Sequence, residues 1–161
     1  MKMRGKRFTL VLLFGLVLIY VPAHLFSAVA RPRRMGIFQL TGMLICAAGG
    51  GLALWCVSNF ALIGRGTPAP FAAPRRLVTR GPYKLVRNPM YVGVGLFFAG
   101  TALFYESILL LVYVALFFVA AHLFVELYEE PTLQRTFRRE YLAYCSRVRR
   151  WVPRLFAGKI E

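Results

Sequence analysis

Two groups of residues in this sequence have the types and spacing to do chemistry. The first is Arg87-Asn88-Pro89-Met90-Tyr91, inside the segment Gly81–Gly93. Pro89 disfavours helix at Asn88, and an apolar run opens at Tyr91, so Arg87 and Asn88 stand where a membrane helix begins. The unpaired backbone N–H groups of such a start suit an anion or a polar cofactor. An interface turn, with Arg87 on lipid phosphate and the tyrosines in the aromatic belt, explains the same residues. The second group is His122, Glu126, Glu129 and Glu130, at i, i+4, i+7 and i+8. That spacing places them on one helix face. Ionisable groups in an apolar helix are costly, so they face a polar cavity or partners; the arginines of the 64–90 segment are available, with Glu126 pairing with Arg87 as one option. A di-metal carboxylate site wants Glu-x-x-His pairs from two helices. The sequence has no second pair, and no metal is expected.

The elements that must position these groups are membrane helices. The chain is 58% hydrophobic over 161 residues, too apolar for a soluble domain of this size. The formal net charge is +15, from 21 Lys and Arg against six acidic residues, and the charges lie outside the apolar runs. This fits cytoplasmic loops and anionic lipid headgroups. No base-reading motif accompanies the charge, so no nucleic-acid partner is expected. Cys46, Cys56 and Cys145 have no metal-type spacing; the first two fall in an expected span and read as small core residues in a reducing context.

The expected fold class is all-α: a polytopic membrane protein of about four transmembrane helices plus a C-terminal cytoplasmic amphipathic helix. Phe8–Ala30 follows a basic start and is too long for a usual signal peptide core, so it reads as the first span. The second runs from about Gly36 to Ile63, with Gly42, Gly49, Gly50 and Gly51 allowing close helix packing. The proline-rich 64–90 connection follows. A short third span covers Tyr91 to about Phe104, a break falls at Tyr105-Glu106-Ser107, and Ile108–Tyr128 forms the fourth. Pro131 suits the start of a further helix, whose stripe Leu133, Phe137, Tyr141 and Tyr144 lies on the membrane or caps the loop. Arg147, Arg149, Arg150, Trp151 and Pro153 read as a basic, aromatic interfacial anchor. Both termini and the 64–90 loop are expected in the cytoplasm, although Arg31, Arg33 and Arg34 then fall on the far side, against the positive-inside rule.

The two groups also carry a family pattern. Leu77-Val78, Gly81-x-Tyr83, Arg87-Asn88-Pro89-x-Tyr91-x-Gly93, the pair Glu129-Glu130, Glu140-Tyr141-x-x-Tyr144 and Val148-x-x-Trp151-x-Pro153 occur in that order. The chain resembles the isoprenylcysteine carboxyl methyltransferase and phospholipid methyltransferase group of integral membrane enzymes, over about Leu77 to Pro153. The resemblance implies a single domain over 1–161, with two N-terminal spans in 1–63 and a catalytic core in 64–153. It also implies S-adenosylmethionine as methyl donor, contacted by Leu77, Val78, Tyr83, Asn88, Pro89 and Tyr91, with Glu129 closing the pocket and Glu130 beside it. Arg87 and Glu126 are the catalytic candidates, Arg87 holding a carboxylate of the cofactor or substrate.

The acceptor implied is a lipophilic small molecule or a lipid. Asn88 stands where many members have His and cannot titrate near neutral pH. The carboxyl methyltransferases place a substrate-binding Arg shortly before the Glu pair; here Val125-Glu126-Leu127-Tyr128 has none. Glu126 better suits a cationic or amine acceptor, such as an ethanolamine headgroup, as in the phospholipid N-methyltransferases. An NADPH-dependent enzyme like the sterol reductases, and a non-enzymatic membrane protein of the same fold, are the competing readings.

Overall fold

The computed structural model describes residues 21, 22, 24, 25, 35–59, 61, 62 and 76–153. Most of the expected first span, Arg31, Arg33 and Arg34, and the start of the 64–90 connection lie outside the described residues. The described part is helical: α1 (Ile37–Asn59), a short 3-10 turn (Gly81–Lys84), α2 (Pro89–Phe104), α3 (Ile108–Phe124), one π turn (Val125–Glu129) and α4 (Glu130–Arg147). Among the described residues there is no strand, only an isolated parallel bridge between Val86 and Arg149.

Among the described residues, two helices are long and apolar enough to cross a membrane: α1, and the continuous run Ile108–Arg147 formed by α3, the π turn and α4. At ~1.5 Å per residue, the 16 residues of α2 span about 24 Å, less than the ~30 Å hydrocarbon core. The outer face of α1 exposes Ile37, Leu40, Leu44, Leu54 and Trp55, and α3 exposes Leu116, Val119 and Leu123, as lipid-facing helices do.

Helices α1 and α2 pack antiparallel at very short range. A Cβ on Gly49 would stand 2.5 Å from the backbone N of Phe97 and 2.6 Å from Gly93 O; one on Gly42 would stand 2.7 Å from Gly100 O. Both glycine pairs are seven apart, two turns along one face, so the backbones touch where any side chain would wedge them apart. Gln39, buried at the start of α1, donates to Phe104 O (3.1 Å) and to Glu106 Oε1 (2.9 Å). It pins the expected break at Tyr105-Glu106-Ser107, after which Ser107 Oγ caps α3 by accepting from Leu110 N.

The core between α2 and α3 is aromatic. Phe98 meets Tyr113 (5.1 Å) and Phe117 (5.6 Å) edge-on, each contact contributing ~0.5–1.5 kcal/mol beyond burial. Val21 and Leu25, from the first apolar run, pack on the same cluster.

One expectation about the helices is revised. The fourth span does not end before Pro131: Glu129 and Glu130 keep helical φ and ψ, and the π turn carries the chain straight into α4. The break comes later, at Arg138 (φ 41°, ψ −112°). In the segment after α4, expected as a basic, aromatic interfacial anchor, Trp151 packs against the α2–α3 core.

Candidate active site

One end of the helix pair gathers both chemical groups. The 3-10 turn docks on the C-terminal end of α1: Tyr83 and Val78 are buried with Cys56. Gly81 has φ +61°, which favours glycine, and a Cβ there would press on the Asn59 side chain at 3.1 Å. The Tyr83 carbonyl accepts from the Tyr144 hydroxyl at 2.7 Å, which ties the turn to α4. Burial pushes the Tyr83 phenol well above its ordinary range and keeps it protonated. The amphipathic stripe forms the other side, with Tyr141 and Tyr144 buried against Leu77, Leu133 and Phe137.

Across this turn, the Tyr91 hydroxyl donates to Glu129 Oε2 at 2.9 Å. The π turn makes that meeting possible. It inserts one residue into the α-helical phase, so the four polar residues do not share one face. Glu129 turns to α2, while Glu126 is half-exposed beside His122 (3.5 Å) and Arg150 (3.5 Å).

Arg87 does not pair with Glu126. Its Nη1 lies 3.2 Å from Glu130 Oε1 and donates to Cys145 Sγ at 2.7 Å, and its Nε is buried without a hydrogen-bond partner. Glu130 is also gripped by Arg150, whose Nε and Nη2 donate to its two oxygens at 2.9 and 2.7 Å. That two-pronged bond to Glu130 holds the Arg150 guanidinium pKa above its ordinary value. Asn88, buried at the head of α2, gives its Nδ2 to Arg150 O (3.3 Å), and Pro89 is fully buried.

The site candidates therefore divide. Tyr83, Asn88, Pro89, Tyr91, Glu129, Glu130 and Arg87 meet around the start of α2. Val78 lies behind Tyr83, and Leu77 lies against the α4 stripe. Glu126 stands on the outer edge. Sequence reasoning missed Arg150 and Trp151 as parts of this assembly. The Val148-x-x-Trp151-x-Pro153 pattern was visible, but nothing local says that the segment turns back over Arg87.

The fold and site define a helical membrane protein whose polar centre lies at the head of a short, buried helix, walled by tyrosines and a carboxylate. The phospholipid methyltransferase family model matches residues 37–140. The chain belongs to that family, which makes it a membrane methyltransferase in class. Searches of curated proteins and of solved structures found no match.

Proposed function

We propose that the protein transfers a methyl group from S-adenosylmethionine to a lipid acceptor bearing an amine headgroup. The supporting observation is the Tyr91–Glu129 contact, which joins the head of α2 to the Glu pair in one polar centre inside a family of phospholipid methyltransferases.

The residues fit such a donor. Glu129 accepts from Tyr91 through one oxygen, and its second oxygen suits a ribose hydroxyl or an ammonium. The faces of Tyr83 and Tyr91 suit a sulfonium. The buried, unpartnered Nε of Arg87 marks a place where an acceptor atom is wanted, which suits a carboxylate. Leu77, Val78, Asn88 and Pro89 complete the wall. Glu130 is committed to Arg150 and Arg87, so its part is to hold Arg87 in place.

When bound, the donor would supply an electrophilic methyl carbon to the acceptor nitrogen, whose lone pair makes the C–N bond while the C–S bonding pair leaves on sulfur as a neutral thioether. This displacement needs alignment and exclusion of water more than acid–base help. Tyr91 fixes the Glu129 carboxylate, and the α4 stripe covers the turn from outside. Glu126, half-exposed and adjoining the lipid-facing Leu123 and Leu127, attracts the headgroup ammonium and accepts the proton that the amine must lose. On this reading the helical arrangement is that of a multi-pass protein with four spans, with the site at its cytoplasmic end.

The test is calorimetric binding of S-adenosylmethionine to the purified protein in detergent, wild type beside Glu129→Ala, followed by transfer of labelled methyl to phosphatidylethanolamine. Binding by the wild type, lost in a folded variant, and label in the lipid support the reading. NADPH binding without S-adenosylmethionine binding would overturn it in favour of a reductase.

A further inference from the structure

The chain beyond α4 runs back across the site. Arg87 N donates to Arg149 O at 2.9 Å, and Asn88 Nδ2 donates to Arg150 O. One residue further, the Trp151 indole N–H donates to His122 Nδ1 at 3.2 Å. An indole nitrogen can only donate, so Nδ1 is the acceptor and Nε2 is left to carry the proton of the ring. That nitrogen lies 3.5 Å from Glu126 Oε2. The imidazole is thus engaged at both nitrogens and gives the indole a fixed anchor on α3.

The anchored ring lies against two others. It meets Tyr91 at 6.4 Å and an interplanar angle of 56°, and Phe118 edge-on at 6.5 Å. Tyr91 is the residue whose hydroxyl orients Glu129. Trp151 therefore backs the phenol ring on which the aim of the carboxylate depends. The rest of the Tyr91 cluster is Tyr113, Phe117, Ala121 and Phe124 of α3 with Val125 of the π turn, contacts of α2 that do not involve Trp151. A loss of Trp151 frees the Tyr91 ring to tilt while the helix pair stays assembled. Trp151 also lies beyond residues 37–140, the span the family model matches.

We propose that Trp151 is a positioning residue for the Tyr91–Glu129 pair, held in register by its hydrogen bond to His122. The inference rests on the reading of that pair as part of the donor pocket. The segment after α4 is then a strap that sets the geometry of the site as well as covering it.

The experiment measures S-adenosylmethionine binding by calorimetry on the full chain in detergent, with thermal unfolding of the same preparations. Trp151→Ala removes ring and N–H. Trp151→Phe keeps a ring and removes the N–H, and His122→Phe removes the acceptor. The expected result is a donor Kd raised tenfold or more in Trp151→Ala. Trp151→Phe and His122→Phe each raise it about three- to tenfold, the effect of one hydrogen bond, at a nearly unchanged unfolding temperature. The double Phe variant binds no more weakly than either single variant, because the two share one bond. His122→Gln, whose amide oxygen can accept from the indole, recovers part of the loss.

Wild-type affinity in Trp151→Phe and His122→Phe, or losses that add in the double variant, would overturn the inference while leaving the donor pocket standing. Failure of the wild-type protein to bind the donor would overturn both. Should Trp151→Ala not fold, the two Phe variants decide. An independent readout comes from Trp55→Phe, which leaves Trp151 as the one tryptophan of two. Its emission shifts on donor addition; an unchanged spectrum counts against a place beside the pocket.

Discussion

The Tyr91 hydroxyl and Glu129 Oε2 meet at 2.9 Å across 38 positions of sequence. The contact links the first turn of α2 to the π turn that follows α3. It is the point where the two chemical groups of the sequence become one centre.

Glu129→Gln keeps the shape and removes the charge, and Tyr91→Phe removes the donor that aims it. A hydrogen bond to a charged group contributes ~1.5–3 kcal/mol. Donor affinity is expected to fall at least tenfold in each variant, read by calorimetry on folded protein. Unchanged affinity in both would remove Glu129 from the pocket.

Arg150 grips Glu130 with two nitrogens, and Arg87 approaches the same carboxylate from the head of α2. The three side chains are largely but not wholly buried, so the cost of breaking the group is below that of a dry interior pair. Arg150→Ala is expected to destabilise the protein by about 1–3 kcal/mol in thermal unfolding. Arg150→Lys recovers less than half, because a single ammonium cannot make the two-pronged contact.

Helix α1 separates its glycines by function. Gly49 faces the backbone of α2, whereas a Cβ on Gly51 meets nothing within 4 Å. Gly49→Val is expected to force the helices apart and to lose folded protein in detergent, since overpacking against backbone costs ~1–3 kcal/mol or more. Gly51→Ala is expected to be neutral or stabilising by up to ~1 kcal/mol from helix propensity. Equal behaviour of the two would contradict the packing of α1 on α2.

Glu126 stands half-exposed, 3.5 Å from both His122 and Arg150. Exposed pairs contribute ~0–1 kcal/mol, so Glu126→Gln is expected to change stability little. The same variant should raise KM for an amine-headed lipid several-fold, lower kcat as the proton acceptor is lost, and leave donor Kd unchanged. A raised donor Kd with unchanged acceptor KM would place Glu126 on the donor side.

Much of this was legible before any coordinates. The α2 boundaries follow from Pro89 and the Tyr105-Glu106-Ser107 break, because a proline before an apolar run and a capped restart act on immediate neighbours. The stripe Leu133, Phe137, Tyr141 and Tyr144 forms a buried cluster as its spacing implies. The partner of Arg87 was not legible. Glu126 and Glu130 both lay within plausible reach, and the choice depends on the phase of a helix that a π turn had shifted by one residue.

The sequence by itself determined a helical membrane protein with a polar turn between apolar halves and a carboxylate cluster after the last of them. Those features depend on composition, period and bend-forming residues, which are local properties. Only the tertiary structure decided that Glu129 reaches Tyr91, that Glu130 is shared by Arg87 and Arg150, and that Trp151 turns inward to His122. Each of these contacts joins residues on different elements. Its partner is selected by helix phase and by the return path of the chain after α4, and no local pattern encodes either.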